Sequence, residues 1–305
     1  MLLFSIFLVQ AALTAEGEPF PVPQELGPAV HFWKQLFLEY DHGHAVIHDR
    51  ENIEVVWQVV EYPKNAAGQI DESAGKLRVR QALDAIRTHL TRLEKDHTTV
   101  DVLDTELLRA AGGKDSPVLQ GAANRLRVQR GVANFFRTGL QTSRRYSAQI
   151  QSILRDAGVP TELSGLPFVE TMFNPSARSF AGAAGLWQLM PATARGLGLK
   201  VTRRYDERYD ILRATAAAAR MLKDNYRMFG SWPLAITAYN HGPNGVKRAV
   251  KTVGSTDLMT LIARYEQKSF GFASKNFYAE FLAIVDILRN ASDTPPVALS
   301  SASAD

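Results

Sequence analysis

Residues 160–191, PTELSGLPFVETMFNPSARSFAGAAGLWQLMP, decide the fold class and carry the candidate chemistry. Pro160 and the polar pair after it are typical of a helix start. Asn174-Pro175 predicts the end of that helix, because a residue before proline avoids the α region. The sequence therefore places Glu170 in the last turn of a mostly apolar helix.

Apolar side chains surround Glu170 in the sequence, among them Val169, Met172 and Phe173. Such neighbours disfavour a charged carboxylate and raise its pKa, which is what a general acid needs near neutral pH. The alternative interpretation is an ordinary solvated glutamate at a helix end. Local sequence alone leaves both interpretations open.

The stretch after Glu170 combines a polar turn with small residues and a buried-looking amide. Ser179 lies in the turn, and residues 182–185 (GAAG) permit close approach by a ligand or another backbone segment. Residues 186–190 (LWQLM) predict an apolar helical stub carrying one amide, Gln188, and ending at Met190. A buried amide needs a partner, which is either the protein or a substrate.

Farther along, residues 214–229 predict an Ala-rich helix that can pack close to a neighbour. A short apolar helix then ends at Tyr239-Asn240, since His241-Gly242-Pro243 stops it. This pair is either part of a site or a helix cap with an exposed ring.

Upstream of this region the patterning is helical apart from one small β element. Residues 44–62 are rich in Val, Ile and Trp around a polar tetrad and predict a two-stranded hairpin. Leucines recur at helical spacing from Lys76 onward, and helical periodicity continues through residues 126–140 and 146–157. The predicted fold class is mainly α, with a mostly helical region and a β-hairpin preceding the segment that carries Glu170.

Composition excludes several function classes. The 305 residues contain no cysteine, which excludes disulfides, thiol nucleophiles and cysteine-ligated metals. The 35 basic and 31 acidic residues give a net charge of +4 without a dense basic stripe, so we expect no nucleic-acid partner. His42 and His44 could share one side of a strand, but no carboxylate has ligand spacing with them. We expect no metal and no cofactor.

The two ends of the chain predict an exported protein. Residues 1–15 are apolar, uncharged and too short to span a bilayer, which predicts a signal peptide; a buried N-terminal helix is the alternative. Residues 291–305 are small and polar and predict a disordered tail. No later segment is apolar enough to span a membrane, and without cysteine we expect no lipid anchor.

Taken together, three ordered motifs resemble the soluble lytic transglycosylase (SLT) family, which is goose-lysozyme-like, and within it the membrane-bound murein transglycosylase D type. The motifs are Glu170-Thr171 with Asn174-Pro175-x-Ala177 and Ser179; Gly185-Leu186-Trp187-Gln188-x-Met190-Pro191; and Ala238-Tyr239-Asn240-x-Gly242. The resemblance covers roughly residues 145–290. It implies a lysozyme-like helical catalytic domain that acts on peptidoglycan glycan strands.

The resemblance also implies roles for single residues. Glu170 matches the family's catalytic acid and base, and Tyr239 matches the tyrosine that hydrogen-bonds its carboxyl. The remaining matched positions would bind the sugar: Ser179, Gln188, Met190 and Asn240. At the family's last motif this chain has Ala273 and Phe277, which leaves Tyr278 as the candidate there.

A single acid fits the reaction that the resemblance implies. Glu162 lies about 12 Å from Glu170 along a helix, too far for a second carboxylate of a glycosidase. Protonated Glu170 would cleave the bond between N-acetylmuramic acid and N-acetylglucosamine. It would then take a proton from the muramic C6 hydroxyl, which leaves a 1,6-anhydro end. The alternatives are a goose-type lysozyme, a non-catalytic peptidoglycan-binding protein and a helical binding module.

These arguments divide the chain into four segments. They are a signal peptide (1–15), an N-terminal accessory region (16–140), the SLT catalytic domain (141–290) and the tail (291–305). The expected location is the periplasm or cell envelope. Oligomeric state is not encoded in any pattern found here.

Overall fold

The structure is a computed structural model that describes residues 18–96 and 99–293. The predicted signal peptide and residues 294–305 of the predicted tail lie outside the described residues. No helix within the described ranges is both long enough and apolar enough to cross a membrane.

Helices dominate the described residues, which confirms the mainly-α prediction. The helices are Gly27–Leu38 (α1), Glu72–Asp96 (α2), Val102–Ala111 (α3), Ala133–Ser143 (α4), Ser147–Asp156 (α5), Leu166–Thr171 (α6), Pro191–Gly196 (α7), Ile211–Phe229 (α8), Trp232–His241 (α9), Pro243–Val253 (α10), Leu258–Arg264 (α11) and Phe272–Asp293 (α12). The strands are His44–Asp49 (β1), Val56–Glu61 (β2) and Leu126–Arg130 (β3).

The three strands form one antiparallel sheet in the order β2-β1-β3. The predicted hairpin is confirmed as β1 and β2. The prediction of helix is wrong for β3, because those residues pair with β1 from Ala45↔Arg130 to Asp49↔Leu126. A five-residue run carries too little periodicity to separate helix from strand, and here pairing across the sheet decides.

Two hydrophobic clusters hold the protein together. The smaller one lies between the sheet, α2 and α3, and includes Ile47, Ile86 and Leu107. The larger one contains the helices from α4 to α12 and also takes in α1. Helix α1 therefore packs into the same core as the segment that carries Glu170, although it belongs to the predicted accessory region. The domain boundary at residue 140 stays a prediction.

Helix α12 is the central element of the larger cluster. It packs against α1, α6 and α9, and Phe281, Ala283 and Ile284 on it are fully or almost fully buried. The Ala-rich prediction for α8 is also confirmed, since α8 packs its alanines against α9 and α5. This packing holds in place α6, α9 and α12, the three helices on which candidate site residues lie.

Candidate active site

Glu170 lies in the last turn of α6, as the sequence predicts. A 3-10 turn at Thr161–Gly165 leads into the helix. The helix ends at Thr171, three residues before Asn174-Pro175, because Met172 and Phe173 adopt left-handed backbone conformations with φ of 51° and 58°. Such conformations are rare outside glycine, and they concentrate at functional sites. Here they turn the chain sharply just after the acid.

The carboxyl of Glu170 is held in its neutral form. The residue keeps some solvent-accessible surface, yet protein atoms enclose the carboxyl group densely enough to strip most of its water. This loss of hydration raises the pKa of Glu170 to about 8. A carboxylic acid with that pKa is mostly protonated at neutral pH and able to donate its proton, as a general acid requires.

Tyr239 on α9 faces the same carboxyl. Burial raises the pKa of the Tyr239 phenol well above its usual value, and the nearby charge of Glu170 raises it further. The hydroxyl donates its proton to the Trp187 carbonyl over 2.6 Å. The structure describes both residues and has no hydrogen bond between the phenol and Glu170, and with its proton engaged the phenol oxygen could only accept one from the protonated carboxyl. Such a bond would hold the acid in place without deprotonating it.

The small residues after Ser179 make the close backbone contact that the sequence predicts. Gly185 has φ +76°, and a Cβ atom there would lie 1.8 Å from the carbonyl oxygen of Arg208. Arg208 is only 3% exposed and donates to the carbonyls of Gly182 and Leu189. Asp206 completes the cluster with a 2.7 Å ion pair. One guanidinium thus ties together both ends of the loop.

Residues 186–190 do not form the predicted helical stub: residues 186–188 lie in a turn, and Leu189 forms an isolated β-bridge with Ala184. Helix α7 begins only at Pro191, because Gln188 has φ +46° and reverses the chain. The Gln188 amide donates to the Gly185 carbonyl over 2.9 Å, so its nitrogen has a partner within the protein. Thr171 joins this loop to α6 through a 3.4 Å hydrogen bond to the Leu186 carbonyl. The loop consequently borders the residue that follows the acid.

The other predicted sugar-binding residues differ in how available they are. Met190 is 44% exposed. Ser179 accepts a hydrogen bond from the Ala183 amide and keeps its own proton to donate. Asn240 is exposed at the end of α9, where its side chain accepts from Ser274 over 3.4 Å. These residues offer polar and apolar contacts on the elements around Glu170.

Tyr278 is not brought into this group. It is 1% exposed, and its hydroxyl donates to the Pro21 carbonyl over 2.9 Å. Successive residues on a helix point about 100° apart, so Tyr278 faces the N-terminal segment. Its contacts support a structural role, and they give no support to the predicted role in substrate binding.

Glu280 on α12 is the residue that sequence reasoning missed. Burial raises its pKa to about 8, the charge of Glu170 acts in the same direction, and Arg127 opposes both. Packing of α12 on α6 brings Glu280 toward Glu170. A methyl group of Ile284 lies 3.2 Å from the place of a Cβ on Gly165, and Glu280 lies one helical turn from Ile284. A lone acid in the apolar run 277–285 (FYAEFLAIV) was the available signal.

Three other carboxylates near the candidate site in sequence are engaged elsewhere. Glu162 forms an ion pair with Arg289 at 3.3 Å. Asp206 is bound by Arg208, and Glu207 pairs with Arg213 at 2.7 Å. Each of these carboxylates balances a cation that holds the local fold together. The carboxyl that faces Glu170 comes instead from α12.

Metal-like spacing occurs in one group of the described residues: His89, Asp101 and Asp104. The Arg92 guanidinium already bonds to both oxygens of Asp104, and Asp101 caps α3 in a reciprocal capping box. His44, from the His-x-His step, bonds to Asp41 over 2.8 Å. These contacts are those of ion pairs and helix caps.

Residues 148–262, which contain Glu170 and Tyr239, match the family described as Transglycosylase SLT domain. The chain is 40% identical over 150 residues to "Membrane-bound lytic murein transglycosylase D" of Escherichia coli strain K12, which covers 48% of this chain and 32% of that protein. It is 36% identical over 109 residues to "Putative tributyltin chloride resistance protein" of an Alteromonas species, covering 35% and 53%.

One similar solved structure is that of lytic transglycosylase Slt from Pseudomonas aeruginosa. It matches 63% of this chain and 28% of its own chain, with 18% identity and a TM-score of 0.42. The matched part of the present chain thus spans about a third of the length of the murein transglycosylase D relative.

Proposed function

Because residues 148–262 belong to the transglycosylase SLT domain family, we propose that this chain is a peptidoglycan lytic transglycosylase in which Glu170 is both acid and base. The observation that carries the proposal is the enclosed Glu170 carboxyl, whose pKa is about 8, facing Tyr239 within the family segment. A non-catalytic binding protein would have no need of such an acid.

The proposed reaction uses one carboxyl twice. Protonated Glu170 donates to the oxygen between N-acetylmuramic acid and N-acetylglucosamine, and the bond from that oxygen to muramic C1 breaks. The N-acetyl carbonyl of the substrate stabilises the positive charge at C1. Ionised Glu170 then takes the proton of the C6 hydroxyl as its oxygen bonds to C1. This restores the acid and consumes no water, because the tethered hydroxyl has a high effective concentration.

We propose that the surrounding residues hold the sugar in place for this step. The Ser179 hydroxyl and the Asn240 amide offer hydrogen bonds, Met190 offers an exposed apolar contact, and the turn at Gln188 shapes the wall of the cleft. Tyr239 would hold the protonated carboxyl. The substrate implies the cell envelope as the place of action, and residues 1–15 would direct export.

Product analysis on purified peptidoglycan tests the proposal. We expect soluble muropeptides that end in 1,6-anhydromuramic acid, identified by mass spectrometry as 18 Da lighter than their hydrolysed counterparts. An intact sacculus after prolonged incubation would contradict the assignment. Products with reducing ends would show that the chain cleaves glycan strands by hydrolysis, which would contradict the transglycosylase mechanism.

Glu280 makes hydrolysis the second candidate function. A lysozyme needs a group that activates water opposite the acid, and a carboxyl is the usual choice. Glu280 is a carboxyl that faces Glu170. Its raised pKa argues against this role at neutral pH, since a protonated carboxyl is not a base. If hydrolysis nevertheless occurred, Glu280→Gln would abolish the reducing-end products.

For the transglycosylase we expect Glu280→Gln to change the pH profile. Glu170 from α6 and Arg127 from β3 are the charged groups that face Glu280. Two interacting carboxyls resist double ionisation, and the coupling is reciprocal: the charge of Glu170 raises the pKa of Glu280, so a charge on Glu280 would in turn disfavour ionisation of Glu170. Removing the charge should shift the alkaline limb of kcat/KM down by about half a pH unit or more. Asp286→Asn, which removes a half-buried acid on the same helix that pairs with Lys34, should leave the profile unchanged.

The effect of Glu280→Gln on the free energy of unfolding has a definite direction. The native pKa of Glu280 lies near 8, above its usual value near 4.5, so the native state binds the extra proton between these values. The free energy of unfolding of the wild type therefore falls as pH rises from about 4.5 to about 8. Thermal unfolding should show the variant gaining stability relative to wild type across this window. A difference independent of pH would argue that Glu280 does not titrate in the cleft.

A further inference from the structure

A cavity of about 750 Å³ lies between the sheet and the start of α12. The turn between β1 and β2 contributes Arg50, and β3 contributes Arg127. The segment from α11 into α12 adds Phe270, Phe272 and Lys275. The cavity is therefore formed jointly by residues of the predicted accessory region (16–140) and of the predicted catalytic domain (141–290).

Charge is distributed unevenly across this cavity. The half-buried charges are the cations Arg127 and Lys275, whereas the three carboxylates, Glu25, Glu51 and Glu266, are exposed at the rim. The ammonium of Lys275 makes no ion pair with any residue that the structure describes. The inner wall is therefore positive and suits an anionic group.

Arg127 is the more constrained of the two cations. Its guanidinium lies 3.9 Å above the ring of Phe272, and its Nε is buried without a hydrogen-bond partner among the described residues. A buried guanidinium donor without an acceptor is costly. An incoming carboxylate would supply that acceptor, and the half-buried Phe272 would pack on apolar parts of the same ligand.

Helix α12 leads from the cavity toward the candidate active site. Lys275 precedes Glu280 by five residues, a rise of about 7.5 Å. Arg127 lies close enough to Glu280 to act on its charge, and Glu280 in turn faces Glu170. A ligand in the cavity and a sugar at Glu170 would therefore be neighbours on either side of Glu280.

We propose that this cavity binds the peptide stem of the substrate through its carboxylates, which rests on the proposed function. The stem is attached by a lactyl ether to the same muramic acid whose C1 reacts at Glu170, so it lies within one sugar of the acid. Its free carboxylates would bind Arg127 and Lys275, and its alanine methyl groups would contact Phe272. The accessory region then contributes substrate selection.

Binding of a free stem tetrapeptide, measured by calorimetry on the full chain, tests the proposal without catalysis. We expect saturable binding that Lys275→Ala and Arg127→Ala each weaken about tenfold, the loss of one charged hydrogen bond. Lys251→Ala, an exposed lysine on α10, should bind as the wild type does. Arg127→Ala is read only if its unfolding temperature is unchanged. Lys275 has no ion-pair partner among the described residues, so Lys275→Ala supplies the second test. Binding unaffected by either variant, or no binding, overturns the proposal.

Kinetics separate this proposal from the proposed function. We compare peptide-bearing glycan strands with strands freed of peptide by an amidase. Lys275→Ala should raise KM about tenfold on the first substrate and leave the second unchanged. An equal change on both substrates would assign Lys275 to the fold or the sugar cleft and reject the peptide site. Failure of the wild type on both substrates would reject the glycan activity, while the calorimetry would still decide peptide binding.

Discussion

Glu170→Gln should lower the rate of glycan cleavage by about a thousandfold or more and leave the fold intact. The amide has the shape of the protonated carboxyl but cannot release a proton to the leaving oxygen. With a pKa near 8, the native acid is already mostly neutral at pH 7, so the amide replaces a neutral group. We therefore expect an unchanged unfolding temperature at pH 7 and an absence of muropeptide products by chromatography.

Glu162→Gln is the matched control. It removes a carboxylate eight residues earlier, where the side chain pairs with Arg289, and it should retain wild-type turnover. If Glu170→Gln kept more than a few per cent of the activity, another group would be the acid. Glu280 would then be the next residue to test, since its carboxyl shares the same surroundings.

The position of Glu170 was predictable because its determinants are local. A proline before the helix and an Asn-Pro pair after it predict a helix end close after the acid, and the apolar neighbours predict its surroundings. The helix in fact ends at Thr171, where Met172 and Phe173 adopt left-handed conformations. The end of α9 after Tyr239 followed in the same way from Gly242 and Pro243. Gly185 also predicted a close backbone contact. Its partner, the carbonyl of Arg208, could not be identified from the sequence.

The features that escaped prediction depend on contacts between distant segments. Glu280 lies 110 residues after Glu170, and it is buried only because α12 packs on α6. Strand β3 exists because β1 offers an edge to pair with. Residues 186–190 have helical composition but form a turn and a β-bridge to Ala184, and the Arg208 side chain bonds to the Leu189 carbonyl there. Local propensity does not contain these interactions.

A fragment that begins at residue 143 should fail to fold into a stable domain. It lacks α1, whose buried Phe32, Trp33, Leu36 and Phe37 belong to the larger core. Burying each such side chain contributes roughly 1.5–3 kcal/mol, and four of them together approach the whole stability of an ordinary domain. We expect the fragment to be insoluble or to lack a cooperative thermal transition, whereas a chain starting at residue 18 should unfold as the full chain does.

Limited proteolysis of the full chain offers a second measurement. We expect no protease-resistant product that starts near residue 143, and a cooperative, soluble fragment of that kind would show that α1 is dispensable. Removing the residues before residue 143 would affect the candidate site as well as the stability. Phe136 on α4 packs against Phe168 with ring centroids 5.3 Å apart, and Phe168 lies two residues before Glu170. Removing residues up to 142 would open that contact and admit water near the acid, which would lower the pKa of Glu170 and weaken it as a proton donor.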